Sequence, residues 1–172
     1  MKPYRIIIGL GNPDPLLANT YHNVGTMALD VLTKDLSFKP YKGIFEHVTA
    51  ADGTVYIKPL VFMNDSGKAA REAAKMFGIE SADITVIHDD SDLPVGEVKF
   101  SRGQSAAGHR GVQSVIDALK TKEFGRVRIG IRSKNERRRK KASEFVLKPI
   151  KTTDKKVLSE IFREIEKRLL TA

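Results

Sequence analysis

The sequence predicts an α/β fold, a single-domain sandwich in which helices cover both faces of a twisted, mixed β-sheet. Short apolar runs bounded by turn residues alternate with segments whose apolar residues recur at helical spacing, and this alternation is typical of α/β proteins. A hairpin signal early in the chain adds antiparallel strands, so we expect a mixed sheet. The length of 172 residues suits one domain spanning 1–172.

The first half of the chain opens on the apolar run Ile6-Ile7-Ile8, which is closed by glycines and predicts a buried strand. A helix is expected over about 23–36, because apolar residues recur there at helical spacing. Two alternating runs within 44–60 flank Ala51-Asp52-Gly53 and predict a hairpin. An alanine-rich helix then follows and ends at Gly78.

The second half continues the alternation of strands and helices. It predicts a strand at 84–87, a short strand at 97–100, a helix at about 111–121, a strand at 126–132 and a closing helix at 153–170. Residues 101–111 contain no bulky apolar side chain. Such a long loop of small residues is typical of a segment that binds or gates, so we expect a lid here.

Composition and charge narrow the classes of function. The chain has no cysteine, which excludes disulfides, zinc-thiolate sites and cysteine nucleophiles. No segment resembles a signal peptide or a membrane span, so we expect a cytoplasmic protein. Acidic residues outnumber basic ones in 1–95, so the whole net charge of +9 comes from 96–172. This asymmetry favours a polyanionic partner, nucleic acid before a membrane surface, over a merely solvated basic face.

Basic residues without apolar neighbours crowd into the run 132–142. Lysine and arginine there would bind phosphate by charge, but few aromatic residues lie between them for base stacking. A solvated loop explains the run equally well.

Gly9-Leu10-Gly11 after the first strand is the beginning of a dinucleotide-binding fingerprint. That fingerprint needs a third glycine opening a helix, whereas this chain continues with Pro13 and Pro15. The incomplete fingerprint disfavours nucleotide binding, and we expect no cofactor.

Histidine and acidic residues supply the candidate chemistry. His22 is a candidate general base, although a structural histidine in a loop fits the spacing as well. The run His88-Asp89-Asp90-Ser91-Asp92 follows a strand and allows three interpretations. It can bind a divalent metal, cap a turn, or provide a carboxylate that orients His22.

Asn12 and Asn64 each follow an apolar run, as Asp89 does. Because strand ends of an α/β sheet meet at one crevice, these three side chains can converge there. An amide both donates and accepts hydrogen bonds, which suits substrate binding. Ordinary turn chemistry is the competing explanation for each asparagine taken alone.

Six short blocks, taken together, resemble the bacterial-type peptidyl-tRNA hydrolases. They run in family order along most of the chain: Gly9-Leu10-Gly11-Asn12-Pro13, Thr20-Tyr21-His22-Asn23-Val24-Gly25, Phe62-Met63-Asn64-Asp65-Ser66-Gly67, the block from His88 to Gly96, Gly108-His109-Arg110-Gly111 and Arg126-Val127-Arg128-Ile129-Gly130-Ile131. The resemblance implies hydrolysis of the ester between a peptide and the 3′ ribose of tRNA.

The resemblance also implies roles for individual residues. His22 matches the catalytic histidine that activates water, and Asp89 matches the aspartate that orients it. Asn12 and Asn64 match asparagines that hold the substrate.

Further implied contacts concern the rest of the substrate. Phe62 and Met63 belong to the implied substrate-binding block, and Arg128 matches an arginine that grips a tRNA phosphate. The implied partner is peptidyl-tRNA, bound by a monomer that needs no metal and no membrane.

Several positions depart from the family pattern. Arg110 replaces the asparagine of the usual Gly-His-Asn-Gly, and an arginine cannot accept a hydrogen bond. We expect Arg110 to contact substrate in another way, and its effect on turnover stays open. Leu17 stands where an aromatic residue is usual, and Tyr21 replaces an arginine. Ser101 replaces a phosphate-facing lysine, with Arg102 as the expected stand-in.

A second class of function competes with the enzyme. Some splicing factors that resemble this family bind RNA on the same fold without catalysis. Arg110 and the basic second half favour that alternative, whereas the retained His22 and Asp89 favour the hydrolase.

Overall fold

The structure is a computed structural model that describes residues 5–134 and 141–171. Seven strands in these residues form one sheet: β1 (Arg5–Gly9), β2 (Lys39–Tyr41), β3 (Phe45–Thr49), β4 (Thr54–Pro59), β5 (Ile84–Pro94), β6 (Val98–Arg102) and β7 (Gly125–Arg132). Their order across the sheet is β2-β3-β4-β1-β5-β7-β6. The expected mixed α/β sheet is confirmed.

The centre of the sheet is parallel and its margins are antiparallel. β1 pairs in parallel with both β4 and β5, and β5 pairs in parallel with β7. β3 and β2 extend one side as antiparallel strands, and β6 closes the other. The carboxyl ends of four parallel strands therefore lie along one edge, where ligands bind in open α/β sheets.

Helices cover both faces of the sheet, as predicted. In the described residues they are α1 (Val24–Leu32), α2 (Ser66–Phe77), α3 (Arg110–Leu119) and α4 (Thr152–Leu170). One apolar core contains residues of α1 and α4, and the other contains residues of α2 and α3. Ile7 faces the first core, whereas Ile6 and Ile8 face the second, as the alternation of a strand requires. None of the described helices has the length and apolar character that a bilayer crossing requires.

α2 and α3 pack unusually closely at Gly67. Its backbone N–H donates to Ser114 Oγ at 2.9 Å, and a Cβ atom added at Gly67 would lie 2.0 Å from the carbonyl oxygen of Ser114. Only glycine permits this approach. The helix pair is thus locked near the ends that border the pocket described below.

Three elements differ most from the sequence prediction, and β6 also runs two residues past its expected end, into the loop predicted over 101–111. α1 ends at Leu32 instead of residue 36: the N–H of Thr33 makes the last helical bond, to Leu29 O, and exposed residues, most of them polar, follow. β5 continues to Pro94, because its residues up to Asp90 still pair with β7 and Pro94 pairs with it again after an irregularity. β2 was not predicted. Residues 135–140 of the basic run lie outside the described residues.

Candidate active site

A pocket of about 960 Å³ opens at the carboxyl ends of the parallel strands. Its lining brings together most of the residues that the sequence singled out, among them Asn12, His22, Asn64, Asp89, Arg110 and Arg128. The residue Asn12 beyond β1 and the turn that follows β4 line it, together with residues within β5 and β7. The predicted convergence of strand ends is therefore present.

His22 and Asp89 form a direct contact across this pocket. His22 lies in a 3₁₀ turn over Tyr21–Asn23, and its backbone N–H donates to Val146 O at 2.8 Å. Its Nδ1 is 2.9 Å from Asp89 Oδ1. Because an ionised carboxylate only accepts, His22 Nδ1 carries the proton and its Nε2 keeps a lone pair.

The same oxygen of Asp89 accepts a second imidazole, which the sequence did not single out. His109 Nε2 lies 2.7 Å from Asp89 Oδ1. Asp89 is only 3% exposed, and burial alone would raise its pKa. The contacts with His109 and His22 outweigh burial and hold the pKa of Asp89 well below its usual range. The carboxylate thus stays ionised while buried.

These three side chains also meet the distance requirement of a metal site, since one ligand atom from each lies within 4.8 Å of the others. Metal ligation needs bare nitrogen lone pairs. Both nitrogens that face Asp89 instead donate protons to its Oδ1. The donor set as arranged suits a hydrogen-bonded triad.

His88 lies beside His109 and Asp89 and is neutral near pH 7. Burial is the main cause that lowers its pKa to about 3, helped by His109 nearby. Its Nδ1 donates to Asp89 O at 2.7 Å, and its buried Nε2 has no hydrogen-bond partner in the described structure. His88 therefore braces the backbone of Asp89 and takes up no proton near neutral pH.

Asn12 is held by two sets of hydrogen bonds. Its Oδ1 accepts the backbone N–H of Met63 at 2.9 Å. Asn23, only 3% exposed, clamps the backbone of Asn12 by donating Nδ2 to Asn12 O and accepting Asn12 N–H, each at 2.9 Å. Because Met63 N–H can only donate, the Nδ2 of Asn12 is the free end of the amide and is a donor to the pocket.

The turn after β4 forms a second wall. Met63 is buried, whereas Asn64 and Phe62 are exposed at the pocket. Phe62 is 57% exposed and Leu147, across the rim, is 53% exposed. Apolar side chains at the rim beside an amide suit a peptide with both side chains and backbone to bind.

The three arginines named from the sequence lie in different environments. Arg110 begins α3 and is exposed at the pocket. Arg128 also lines the pocket, donating to Asp90 Oδ2 at 2.7 Å and to Gln104 Oε1 at 3.0 Å. Arg102 does not line it, because its guanidinium donates to the carbonyl oxygens of Ala82 and Glu123.

Sequence reasoning missed the contributions of His109 and Asn23. Both lie inside motifs that carry other candidates, and neither has a pattern of its own that indicates a contact far along the chain. For His109 the available signal was its place just before a helix, where capping residues occur.

Comparison with known proteins places these features in a family context. A family model described as peptidyl-tRNA hydrolase matches residues 6–172. The chain is 37% identical over 165 residues to peptidyl-tRNA hydrolase of Mycolicibacterium gilvum, covering 92% of this chain and 85% of that protein. It is 38% identical over 156 residues to the protein of the same name from Thermus thermophilus, covering 91% and 82%.

A solved structure shows the same fold. The crystal structure of peptidyl-tRNA hydrolase from Acinetobacter baumannii superposes with a TM-score of 0.84 at 24% identity, covering 97% of this chain and 87% of that one.

Proposed function

The chain belongs to the peptidyl-tRNA hydrolase family and hydrolyses the ester bond of peptidyl-tRNA, and we propose that His22 is the general base of that reaction with Asp89 orienting it. The observation that carries the proposal is the 2.9 Å contact between His22 Nδ1 and Asp89 Oδ1. It leaves the Nε2 lone pair of His22 to accept a proton.

In the first step a water molecule attacks the ester carbonyl carbon. His22 Nε2 takes a proton from that water, and the negative charge of Asp89 stabilises the imidazolium that forms. Bound to Asp89 on one side and to Val146 O through its backbone, His22 is oriented before substrate arrives. Such orientation lowers the entropic cost of reaching the transition state.

Negative charge develops on the carbonyl oxygen during this attack. Asn12 Nδ2, fixed by the bond of its Oδ1 to Met63 N–H, is the donor assigned to that oxygen. Asn64, exposed on the adjoining wall, binds the substrate beside it. Amides supply these donors without adding a charge that would compete with Asp89.

In the second step the tetrahedral intermediate collapses. The bond from carbon to the ribose oxygen breaks, and the His22 imidazolium returns its proton to that leaving oxygen. The products are a peptide with a carboxylic acid, which releases its proton to solvent as a carboxylate, and a tRNA with a free ribose hydroxyl, and His22 is neutral again. The same residue thus acts as base and then as acid.

The remaining contacts divide between the two halves of the substrate. Phe62, Met63 and Arg110 are proposed to bind the peptidyl portion and its ester end. Arg128 and Arg102 are proposed to bind tRNA phosphates, with Arg128 nearer the reaction because it lines the pocket.

The proposal also covers the conditions of the reaction. The enzyme works as a monomer in the cytoplasm, where translation produces peptidyl-tRNA, and it needs no metal. Support for the last point is that Asp89 Oδ1 and the two imidazole nitrogens that face it are already engaged with one another through hydrogen bonds.

Purified protein in the presence of a chelator tests this proposal. Wild type should release peptide from peptidyl-tRNA, and His22→Ala should lose nearly all turnover under single-turnover conditions. His47→Ala is the matched control, because His47 lies on β3 away from the pocket. Full turnover by His22→Ala would refute the assignment of the base.

A further inference from the structure

His109 occupies the junction between the loop after β6 and the first turn of α3. Its Nε2 is 2.7 Å from Asp89 Oδ1, and its ring lies 5.0 Å from that of His22 and 4.8 Å from that of His88, centroid to centroid. His109 therefore lines the pocket and also contacts the aspartate of the proposed catalytic pair directly.

Both ring nitrogens of His109 have a fixed role. Nδ1 accepts the backbone N–H of Val112 at 3.2 Å, which caps the N-terminus of α3. An N–H can only donate, so Nδ1 must be bare. An ionised carboxylate can only accept, so Nε2 must carry the proton. The two partners together select one neutral tautomer of His109.

His22 differs from His109 in this respect. Only Nδ1 of His22 has a partner in the described structure, which leaves Nε2 for water. A proton added to His109 would instead meet the N–H of Val112 and break the cap of α3. This contrast explains why two imidazoles on one carboxylate can have different tasks.

We propose that His109 is a positioning residue that holds Asp89 for His22 and links its placement to the N-terminus of α3. This inference rests on the proposed role of His22 as the base. With one imidazole on each side, Oδ1 is fixed between two donors and the carboxylate cannot turn without losing one. Without the N–H of His109, the buried carboxylate of Asp89 would lose one of the hydrogen bonds that offset the cost of its burial, and it could rotate more freely.

Two substitutions separate the two bonds of His109. Asparagine places an oxygen one bond beyond Cγ, where Nδ1 stands, so His109→Asn keeps the cap but is too short to reach Asp89. Glutamine places its amide nitrogen close to where Nε2 stands, so His109→Gln keeps the donor to Asp89 but is a poorer cap. The pair therefore distinguishes a positioning role from a capping role.

Single-turnover rates, KM and melting temperature should be measured for both variants. We expect His109→Asn to lose about tenfold to hundredfold in kcat with KM unchanged, because Asp89 and His22 are less well oriented. We expect His109→Gln to recover most of that loss while its melting temperature falls by about 2 to 4 °C. Activity and stability would then respond to different substitutions.

Two results would overturn the inference. Full turnover in His109→Asn would mean that His109 only caps α3, and equal losses in both variants would mean that the bond to Asp89 is not what matters. Failure of this inference about His109 is distinguishable from failure of the proposal that His22 is the base. An inactive His22→Ala beside a fully active His109→Asn would remove only the role of His109.

The tautomer provides a readout that needs no variant. Nitrogen-15 correlation spectra of the wild-type imidazoles should show His109 protonated at Nε2 and bare at Nδ1 at neutral pH. A proton on Nδ1 would contradict the proposal directly, whatever the variants do.

Discussion

Asn12 Oδ1 accepts the backbone N–H of Met63 at 2.9 Å, and this bond decides which end of the amide faces the pocket. The loop after β1 and the turn after β4 are thereby joined at the point where the ester is proposed to bind. The bond that Asn12 Oδ1 accepts from Met63 thus positions Asn12 Nδ2 as a donor to the pocket.

Asn12→Asp isolates the donor. A carboxylate keeps the acceptor for Met63 N–H but loses the N–H₂ group and adds negative charge where charge develops on the substrate. We expect kcat/KM to fall by about 10²- to 10³-fold while the melting temperature stays near that of wild type. Asn12→Ala should lose activity and stability together, so a fully active Asn12→Asp would show that the amide donor has no role.

Asp89→Asn tests the negative charge beside His22. Asparagine has the same shape, and its one oxygen can still accept from both His22 and His109, but it carries no charge to stabilise the imidazolium that forms on His22. We expect kcat to fall by about 10²- to 10⁴-fold with a small change in KM. Asp35→Asn, an exposed change away from the pocket, is the control. Equal activity of the two variants would contradict the proposed role of Asp89.

Arg110→Gln removes the charge at the start of α3. Because Arg110 is proposed to bind the peptidyl portion and its ester end, KM should rise with kcat unchanged, and the dependence of log KM on log salt should stay near that of wild type. Lys75→Gln, at the last turn of α2, carries the same charge change away from the pocket. A salt slope weakened by about one unit in Arg110→Gln would contradict this assignment and indicate a contact with a tRNA phosphate.

Arg128 and Arg102 should differ in their effect on tRNA affinity. Arg128 lines the pocket and Arg102 does not. Both guanidinium groups already have protein partners, which are Asp90 and Gln104 for Arg128 and two backbone carbonyl oxygens for Arg102. We expect Arg128→Gln to weaken binding of deacylated tRNA more than Arg102→Gln, with both losses smaller at high salt. The reverse ranking, measured in filter-binding titrations, would argue against the pocket as the phosphate site.

His88 should make the fold sensitive to mild acid. Its pKa is about 3 in the folded state against an ordinary value of 6.5, so the unfolded chain binds one more proton between those values. Stability must then fall as pH drops below about 6.5, by about 1.4 kcal/mol per pH unit from this group. Above that pH both states are neutral and the effect vanishes.

His88→Asn should reduce that dependence, because an amide does not titrate and can still donate to Asp89 O. The free energy of unfolding by urea, measured at several pH values between about 4 and 7, should have a shallower slope in the variant. Parallel slopes in the two proteins would show that His88 is not the group responsible.

Most of the fold was predictable because the spacing of apolar residues shows which face of a helix or strand is buried. α2 was bounded correctly by alanines at helical spacing and by Gly78, which adopts φ +63 beyond its last turn. β5 was not, because a hydrophobic pattern ends at Ile87, whereas backbone pairing with β7 continues through His88, Asp89 and Asp90. β2 escaped prediction because a three-residue edge strand with Pro40 at its centre has little apolar periodicity.

The pocket residues were predictable as a set through motif blocks and strand ends, but their bonds were not. Nothing in the sequence pairs Asn23 with the backbone of Asn12, or shows that His109 shares an oxygen with His22. Such contacts depend on how loops fold back over the sheet, and a one-dimensional pattern contains no distance between loops.

The close contact of Gly67 with Ser114 has a consequence for how the enzyme accommodates different peptides. Asn64 precedes α2 and Arg110 begins α3, so two parts of the pocket lining are attached to helices that are held together at this contact. The width of the pocket is therefore fixed near the proposed position of the ester. Variation in peptide size must be absorbed farther out, by rotation of exposed rim side chains such as Phe62 and Leu147.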